Sequence, residues 1–209
     1  MENKTILFFW GNTKMSWLRY MTLYSFRKYN PDWLINLYVS DQKIHTKTWK
    51  TYEEQDFFMY AGNDYMDNIK DLNINTIEYT IKDKKGNEIS PSQKSNFFKW
   101  QLLATNGGFY SDMDILFFRS INDLYEKTKE YDIGLTYTWI FSVGFMFSKG
   151  NNLFFQDVYN ECLNKFDADN YQGASATALR KWPNIQAVED QYKKVYNIPK
   201  DYFINMTPQ

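Results

Sequence analysis

Ile6-Leu7-Phe8-Phe9-Trp10 is an unbroken apolar run, ended by Gly11-Asn12. No polar residue alternates within it, so it reads as a strand covered on both faces, as in a parallel sheet. It is far shorter than the roughly 20 residues of a membrane span. It also lacks the small-residue cleavage site of a secretory signal. Met15–Tyr29 reads as a helix, with Trp17, Met21, Leu23 and Tyr24 near one stripe and Arg19, Arg27 and Lys28 largely elsewhere. Asn30-Pro31-Asp32 stops it. Leu34–Val39 reads as the second strand. Strand, helix and strand at this spacing open a βαβ unit and a parallel sheet.

The pattern continues along the chain. Tyr52–Met59 reads as a helix, Thr76–Ile81 as a strand and Lys84-Lys85-Gly86-Asn87 as a solvated turn. Ser90 caps a further helix, with Pro91 at its first position and Gln93 completing a capping box. That helix runs to about Thr105, where Asn106-Gly107-Gly108 ends it. Ile133-Gly134-Leu135 and Val143–Phe147 read as strands. Leu153–Phe166, Ala174–Lys181 and Ala187–Tyr196 read as helices, and Tyr202-Phe203-Ile204 as a last short strand. The alternation gives an α/β class with a mostly parallel central sheet flanked by helices. The 209 residues suit one domain, 1–209.

Composition narrows the function. With 44% hydrophobic and 20% aromatic residues the chain has ample material for a core. The net charge of -1 supplies no global cationic field for nucleic acid or an anionic membrane. A single cysteine, Cys162, excludes an intrachain disulfide framework and a Cys-rich zinc site. A soluble cytoplasmic protein without membrane insertion is the expectation. His45, the only histidine, lies in a polar stretch and reads as a surface residue rather than a base.

Asp112 and Asp114 stand out, because they interrupt the otherwise apolar stretch from Phe109 to Phe118. A buried lone carboxylate is costly. On an extended chain, residues two apart point to the same side. Two such carboxylates repel unless a cation or hydrogen-bond donors compensate. A hard divalent ion with oxygen ligands, Mn²⁺ or Mg²⁺, meets that need. The alternative is a turn cap, or an ion pair with Arg119 or a lysine.

The block from Ser95 to Asp114 places Asn96, Lys99, Gly107-Gly108, Tyr110, Asp112 and Asp114 in one pattern. It resembles the S-D-x-x-R and G-G-x-Y-x-D-x-D signature of a glycosyltransferase family. That family takes in fungal initiating α-1,6-mannosyltransferases, capsular polysaccharide transferases and glucosylating bacterial toxins. Ile6–Gly11, Met15–Tyr20 and Tyr29-Asn30-Pro31-Asp32-Trp33 are similar to the family's opening strand, helix and second-strand entry. Phe145–Asn151 is similar to its later strand and turn.

The resemblance implies a GT-A fold, a Rossmann-like sheet carrying a D-x-D metal motif. It implies sugar transfer from a nucleotide-sugar donor, a UDP-sugar favoured, to an acceptor hydroxyl, with retention at the anomeric carbon. Asp112 and Asp114 would then hold Mn²⁺ or Mg²⁺ and, through it, the donor diphosphate, with Asn205 offered as a third ligand. Trp10 matches an aromatic that stacks on the nucleotide base, with core packing as its alternative. Asn96 and Lys99 match an Asp and an Arg that contact the donor sugar, and Lys99 could assist the leaving group. Their alternative is a solvent-facing pair.

The departures at 96 and 99 matter, because Lys does not reproduce a bidentate Arg contact. The acceptor is open: a glycan, a lipid-linked sugar, a protein or a modified base, with the near-neutral charge arguing mildly against nucleic acid. Two rivals stand beside this reading. A nucleotidyltransferase also pairs aspartates with Mg²⁺, but neither a third carboxylate nor a phosphate loop is evident. A carbohydrate-binding module could draw on 7 Trp and 17 Tyr, but these fall in helix and strand patterns.

Overall fold

Among the described residues seven strands form the central sheet, in the order β3 (Asn75–Tyr79), β2 (Leu34–Ser40), β1 (Thr5–Trp10), β4 (Gly108–Ser111), β7 (Phe141–Ser148), β6 (Ile133–Tyr137) and β8 (Val195–Asn197). The computed structural model describes residues 4–41, 60–80, 89–166 and 174–205. β1 pairs in parallel with β2 and β4, and β2 with β3. β7 runs antiparallel between β4 and β6, and β8 lies parallel to β6. β7 alone is therefore reversed. β5 (Ile115–Phe117) and β9 (Phe203–Asn205) form a separate antiparallel ribbon.

The apolar run of β1 is covered on both faces, as expected. Ile6, Phe8 and Trp10 enter one hydrophobic cluster, while Leu7 and Phe9 enter the other. The first cluster is closed by α1 (Trp17–Tyr29), the β5–β9 ribbon and α3 (Asn122–Lys127). The second is closed by α2 (Pro91–Thr105), α4 (Leu153–Lys165), the one-turn α5 (Ala176–Leu179) and α6 (Ile185–Tyr192). Short 3₁₀ segments, Met66–Leu72 and Lys200–Tyr202, complete the outline.

Several sequence expectations change. On α1 the buried residues are Thr22, Leu23, Ser25 and Phe26, whereas Trp17 and Tyr24 are exposed. Ser25 and Thr22 are buried because their hydroxyls serve the neighbouring ribbon: Ser25 Oγ accepts from Phe117 N at 3.1 Å and Thr22 Oγ1 donates to Met113 O at 2.9 Å. The helix expected to reach Tyr196 stops at Tyr192. Lys193 and Lys194 take positive φ, and Val195 then enters the sheet beside Ile133. The Tyr52–Met59 helix, the Lys84–Asn87 turn and His45 lie outside the described residues. Among the described residues, no helix is long and apolar enough to cross a membrane.

Candidate active site

α2 carries most of the site. Its capping box is present in full: Ser90 Oγ accepts from Gln93 N and Gln93 Oε1 accepts from Ser90 N, both at 3.2 Å. Its other end is fixed by backbone contact. Gly107, at φ +73°, lies so close to the β7–α4 turn that a Cβ there would stand 2.4 Å from Gly150 N. The freed carbonyls at this end are taken up by Asn151 N and Asn152 N, each 2.9 Å from Thr105 O and Ala104 O respectively. The helix is buried almost all round, yet Lys94, Asn96 and Lys99 sit among its aromatic residues. Such groups persist in a core only when paired or turned toward a polar cavity.

That cavity, about 210 Å³, opens at the C-terminal ends of β1 and β4. Trp10, Arg19, Asn96, Lys99, Asp112 and Asp114 all line it, together with Val143 and Ser175. Five of the six sequence-predicted residues thus converge. Asn205 ends β9, and its backbone pairs with Ile115, the neighbour of Asp114.

The two aspartates do not lie on an extended strand, as the sequence reading assumed. The chain leaves the sheet after Ser111 and turns through Met113 and Asp114 before entering the ribbon. Met113 is buried between them, its carbonyl held by Thr22. Both carboxylates line the cavity from this turn, each beside a cation from a different helix, Lys99 of α2 for Asp112 and Arg19 of α1 for Asp114.

Asp112 is tightly held. Lys99 Nζ, itself only 2% exposed, donates to its Oδ1 at 3.2 Å and to Val143 O at the same distance. Tyr110 donates a short hydrogen bond to the same Oδ1, and its oxygen lies 2.9 Å from Ser95 Oγ. Burial, then the charge of Asp112, pushes the Tyr110 phenol well above the usual tyrosine range, so it stays a donor. The Asp112 amide donates to Gly144 O at 2.7 Å, and a Cβ on Gly144 would stand 3.3 Å from Asp112 Oδ2. Asp114 is held only loosely, with Arg19 Nη1 3.8 Å from its Oδ2. Its carboxyl is raised above the ordinary range by burial and then by Asp112, with Arg19 and Lys99 offsetting part of the shift.

Of the alternatives left open by the sequence, the ion pair with a lysine is present, with Lys99 Nζ 3.2 Å from Asp112 Oδ1. Arg119 pairs with Asp123 and Asp201, not with the motif. Asn96 and Lys99 are 6% and 2% exposed, so neither faces solvent. They do not act as a pair either, since the Lys99 ammonium is committed to Asp112 and Val143. The Asn96 amide has no hydrogen-bond partner among the described residues and borders the cavity. Trp10 belongs to the core and to the cavity wall at once, with its Nε1 donating to Thr13 O at 2.8 Å.

Arg19 was given no site role by the sequence, and Ser95 and Tyr110 entered only as parts of the motif. Tyr110 was legible as a neighbour of Asp112, since it precedes it by two along one strand face. Arg19 was legible from its place in the first turn of a helix following β1, the position where open α/β sheets gather ligands.

Among the described residues no group of three or more His, Cys, Asp or Glu side chains gathers around a point. The residues present nonetheless fit a hard divalent ion. Asp112 Oδ2 accepts no hydrogen bond among the described residues and the Asp114 carboxylate meets only Arg19, at 3.8 Å, so both have oxygen lone pairs to offer an ion.

In fold the chain is similar to the PaToxG glycosyltransferase, with TM-score 0.59 and 17% identity over 90% of this chain and 73% of that one. It is also similar to the apo-form glycosyltransferase GlyE of Streptococcus pneumoniae TIGR4, with TM-score 0.57 and 12% identity. There it covers 96% of this chain but only 46% of GlyE, so it spans less than half of that relative. No curated protein matches the chain. The fold is thus that of GT-A glycosyltransferases. The family described as "Glycosyltransferase sugar-binding region containing DXD motif" matches residues 19–131, more than half of the chain and the whole of α2 and the aspartate turn. The chain belongs to that glycosyltransferase family.

Proposed function

We propose that residues 1–209 form one catalytic domain that moves a sugar from a nucleotide-sugar donor, a UDP-sugar, to an acceptor hydroxyl, with Mn²⁺ or Mg²⁺ on Asp112 and Asp114. The observation that carries this reading is the pair of partly buried carboxylates facing one cavity at the carboxyl ends of parallel strands. A bound ion would act as a Lewis acid on the diphosphate.

The chain's own residues do the rest. The Trp10 indole, largely in the core at the end of β1, forms the part of the cavity wall against which the base would lie. Arg19, at the N-terminus of α1, supplies positive charge beside Asp114 for the phosphates. Lys99 holds Asp112 in place, and its buried ammonium adds fixed positive charge behind that carboxylate as negative charge grows on the departing diphosphate. The unengaged Asn96 amide, both donor and acceptor, reads a sugar hydroxyl.

In the transfer the acceptor oxygen bonds to the anomeric carbon and the bond to the β-phosphate oxygen breaks. The acceptor's proton leaves with the departing diphosphate. An inverting displacement asks for a general base on the far side. Retention, which the family resemblance implies, fits a transfer in which the departing diphosphate itself takes the acceptor's proton on the face it leaves.

The test is a panel of nucleotide sugars incubated with Mn²⁺, read as released nucleotide. Turnover of a UDP-sugar that is abolished by chelator and by Asp114→Asn is expected. Turnover indifferent to both would overturn the metal assignment, and no turnover of any donor would overturn the transferase reading.

A further inference from the structure

The β6–β7 hairpin ends in Thr138-Trp139-Ile140. Trp139 is 91% exposed and Ile140 76%, the most exposed large apolar side chains among the described residues. A lone exposed apolar residue is ordinary, but an exposed tryptophan beside an isoleucine at a tip asks for an occupant.

Strand direction places that tip at the end of the sheet where the cavity opens, beyond Val143 on its rim. β6 runs parallel to β8, and β7 antiparallel to both β6 and β4, so the hairpin turns at the same end of the sheet as Asp112. Val143 and Gly144 stand level with the site, since they accept from Lys99 and from the Asp112 amide. The tip lies three to four residues further along, about 10–13 Å beyond, at roughly 3.3 Å per residue. It rises on the β7 side, opposite Trp10 on β1.

The tip is held rather than loose. Asn197 clamps Tyr137 by both backbone groups, accepting from its N–H at 3.0 Å and donating to its carbonyl at 3.2 Å. The Tyr137 and Phe141 rings meet at 4.9 Å, and the Tyr137 hydroxyl reaches Pro183 O at 3.5 Å. Thr138 N donates to Ile140 O across the turn at 3.4 Å. With the hairpin backbone fixed in this way, covering the tip orders only the side chains that stand on it. Its electrostatics select the partner. From Ile133 to Ser148 no residue is charged, so the hairpin has none of the basic flanks that hold phosphate-rich surfaces. An uncharged amphipathic ring with an apolar C–H face fits it.

We propose that Trp139, with Ile140 beside it, is the platform for the acceptor, and that the acceptor is a neutral glycan whose pyranose ring lies on the indole. The proposal rests on the sugar-transfer reading of the cavity. With the base at Trp10 and the sugar toward Lys99 and Val143, the acceptor approaches from the hairpin side.

The experiment probes a broad array of immobilised neutral, uronic-acid and sialic-acid oligosaccharides with the wild-type chain, Trp139→Ala and Trp139→Phe. Melting temperatures confirm that the variants fold. The expected result is retention of wild type on neutral glycans, a loss of tenfold or more for the alanine variant, and recovery of most binding with phenylalanine. Equal binding by the alanine variant, preference for acidic glycans, or no retention of wild type overturns the proposal. So does sedimentation with phosphatidylcholine–phosphatidylglycerol vesicles that is lost in the alanine variant, which would make the occupant a membrane. Donor turnover by the wild-type chain reads the cavity separately, so failure of the sugar-transfer reading and failure of the platform are told apart.

Discussion

Asp112 and Asp114 look equivalent in a motif, but their surroundings make them unlike. Asp112 neutralises a buried ammonium and accepts from a buried phenol. Asp114 has one distant guanidinium and a raised carboxyl. A carboxyl raised in the folded state lowers stability as pH rises. The penalty is absent below the ordinary carboxylate range and complete above the raised value. Asp114→Asn should therefore leave the metal-free protein as stable at neutral pH, or more so. Asp112→Asn should destabilise it by about 1–3 kcal/mol, because Lys99 loses its counter-charge in the interior. Thermal unfolding of the two metal-free variants at pH 7 checks this. Equal losses in both would mean that Lys99 does not depend on Asp112.

At the scale of elements, the site is a product of how α2 is held at each end. The capping box fixes its start beside Gly11, and the Gly107–Gly150 crossing fixes its finish against the turn after β7. Both α2 and β7 contribute to the cradle of Asp112, through Lys99 and through the Val143 and Gly144 carbonyls. Gly107→Ala would place a Cβ against backbone that cannot yield locally, in a conformation L side chains rarely adopt. A loss of about 2 kcal/mol or more is expected. For a chain of this length that lowers the melting temperature by roughly 4–8 °C. An unchanged melting temperature would show that the crossing can open at little cost.

For the whole molecule, two hydrophobic clusters grip opposite faces of the sheet, and the only cysteine reports on one of them. Cys162 is fully buried on α4, where its thiol lies 3.1 Å from Ala174 O. Burial pushes that thiol up to about 12, so it remains protonated and unreactive at neutral pH. The native protein should resist a thiol-specific disulfide reagent at pH 8, and should react with one equivalent at once in strong denaturant. Fast labelling without denaturant would mean that α4 leaves the sheet well below the global unfolding free energy.

Local rules carried the sequence reading a long way. The unbroken β1 run, the Ser90–Gln93 capping box and the Asn106-Gly107 stop were all legible, because each depends on residues within a few positions of one another. So was the company of Asp112 with Asn96 and Lys99, through a family pattern along one helix and the turn after it. What depended on distant chain was not legible. The α1 stripe was misassigned because Thr22 and Ser25 are buried by hydrogen bonds to Met113 and Phe117, some ninety residues away. The helix expected to reach Tyr196 gave way to a strand because β6 offered Val195 an open edge. The pull of Lys99 on one aspartate and of Arg19 on the other came from two helices that meet only across the folded sheet. Periodicity and capping act along the chain, whereas the charge that each carboxylate feels is set by what the fold brings opposite it.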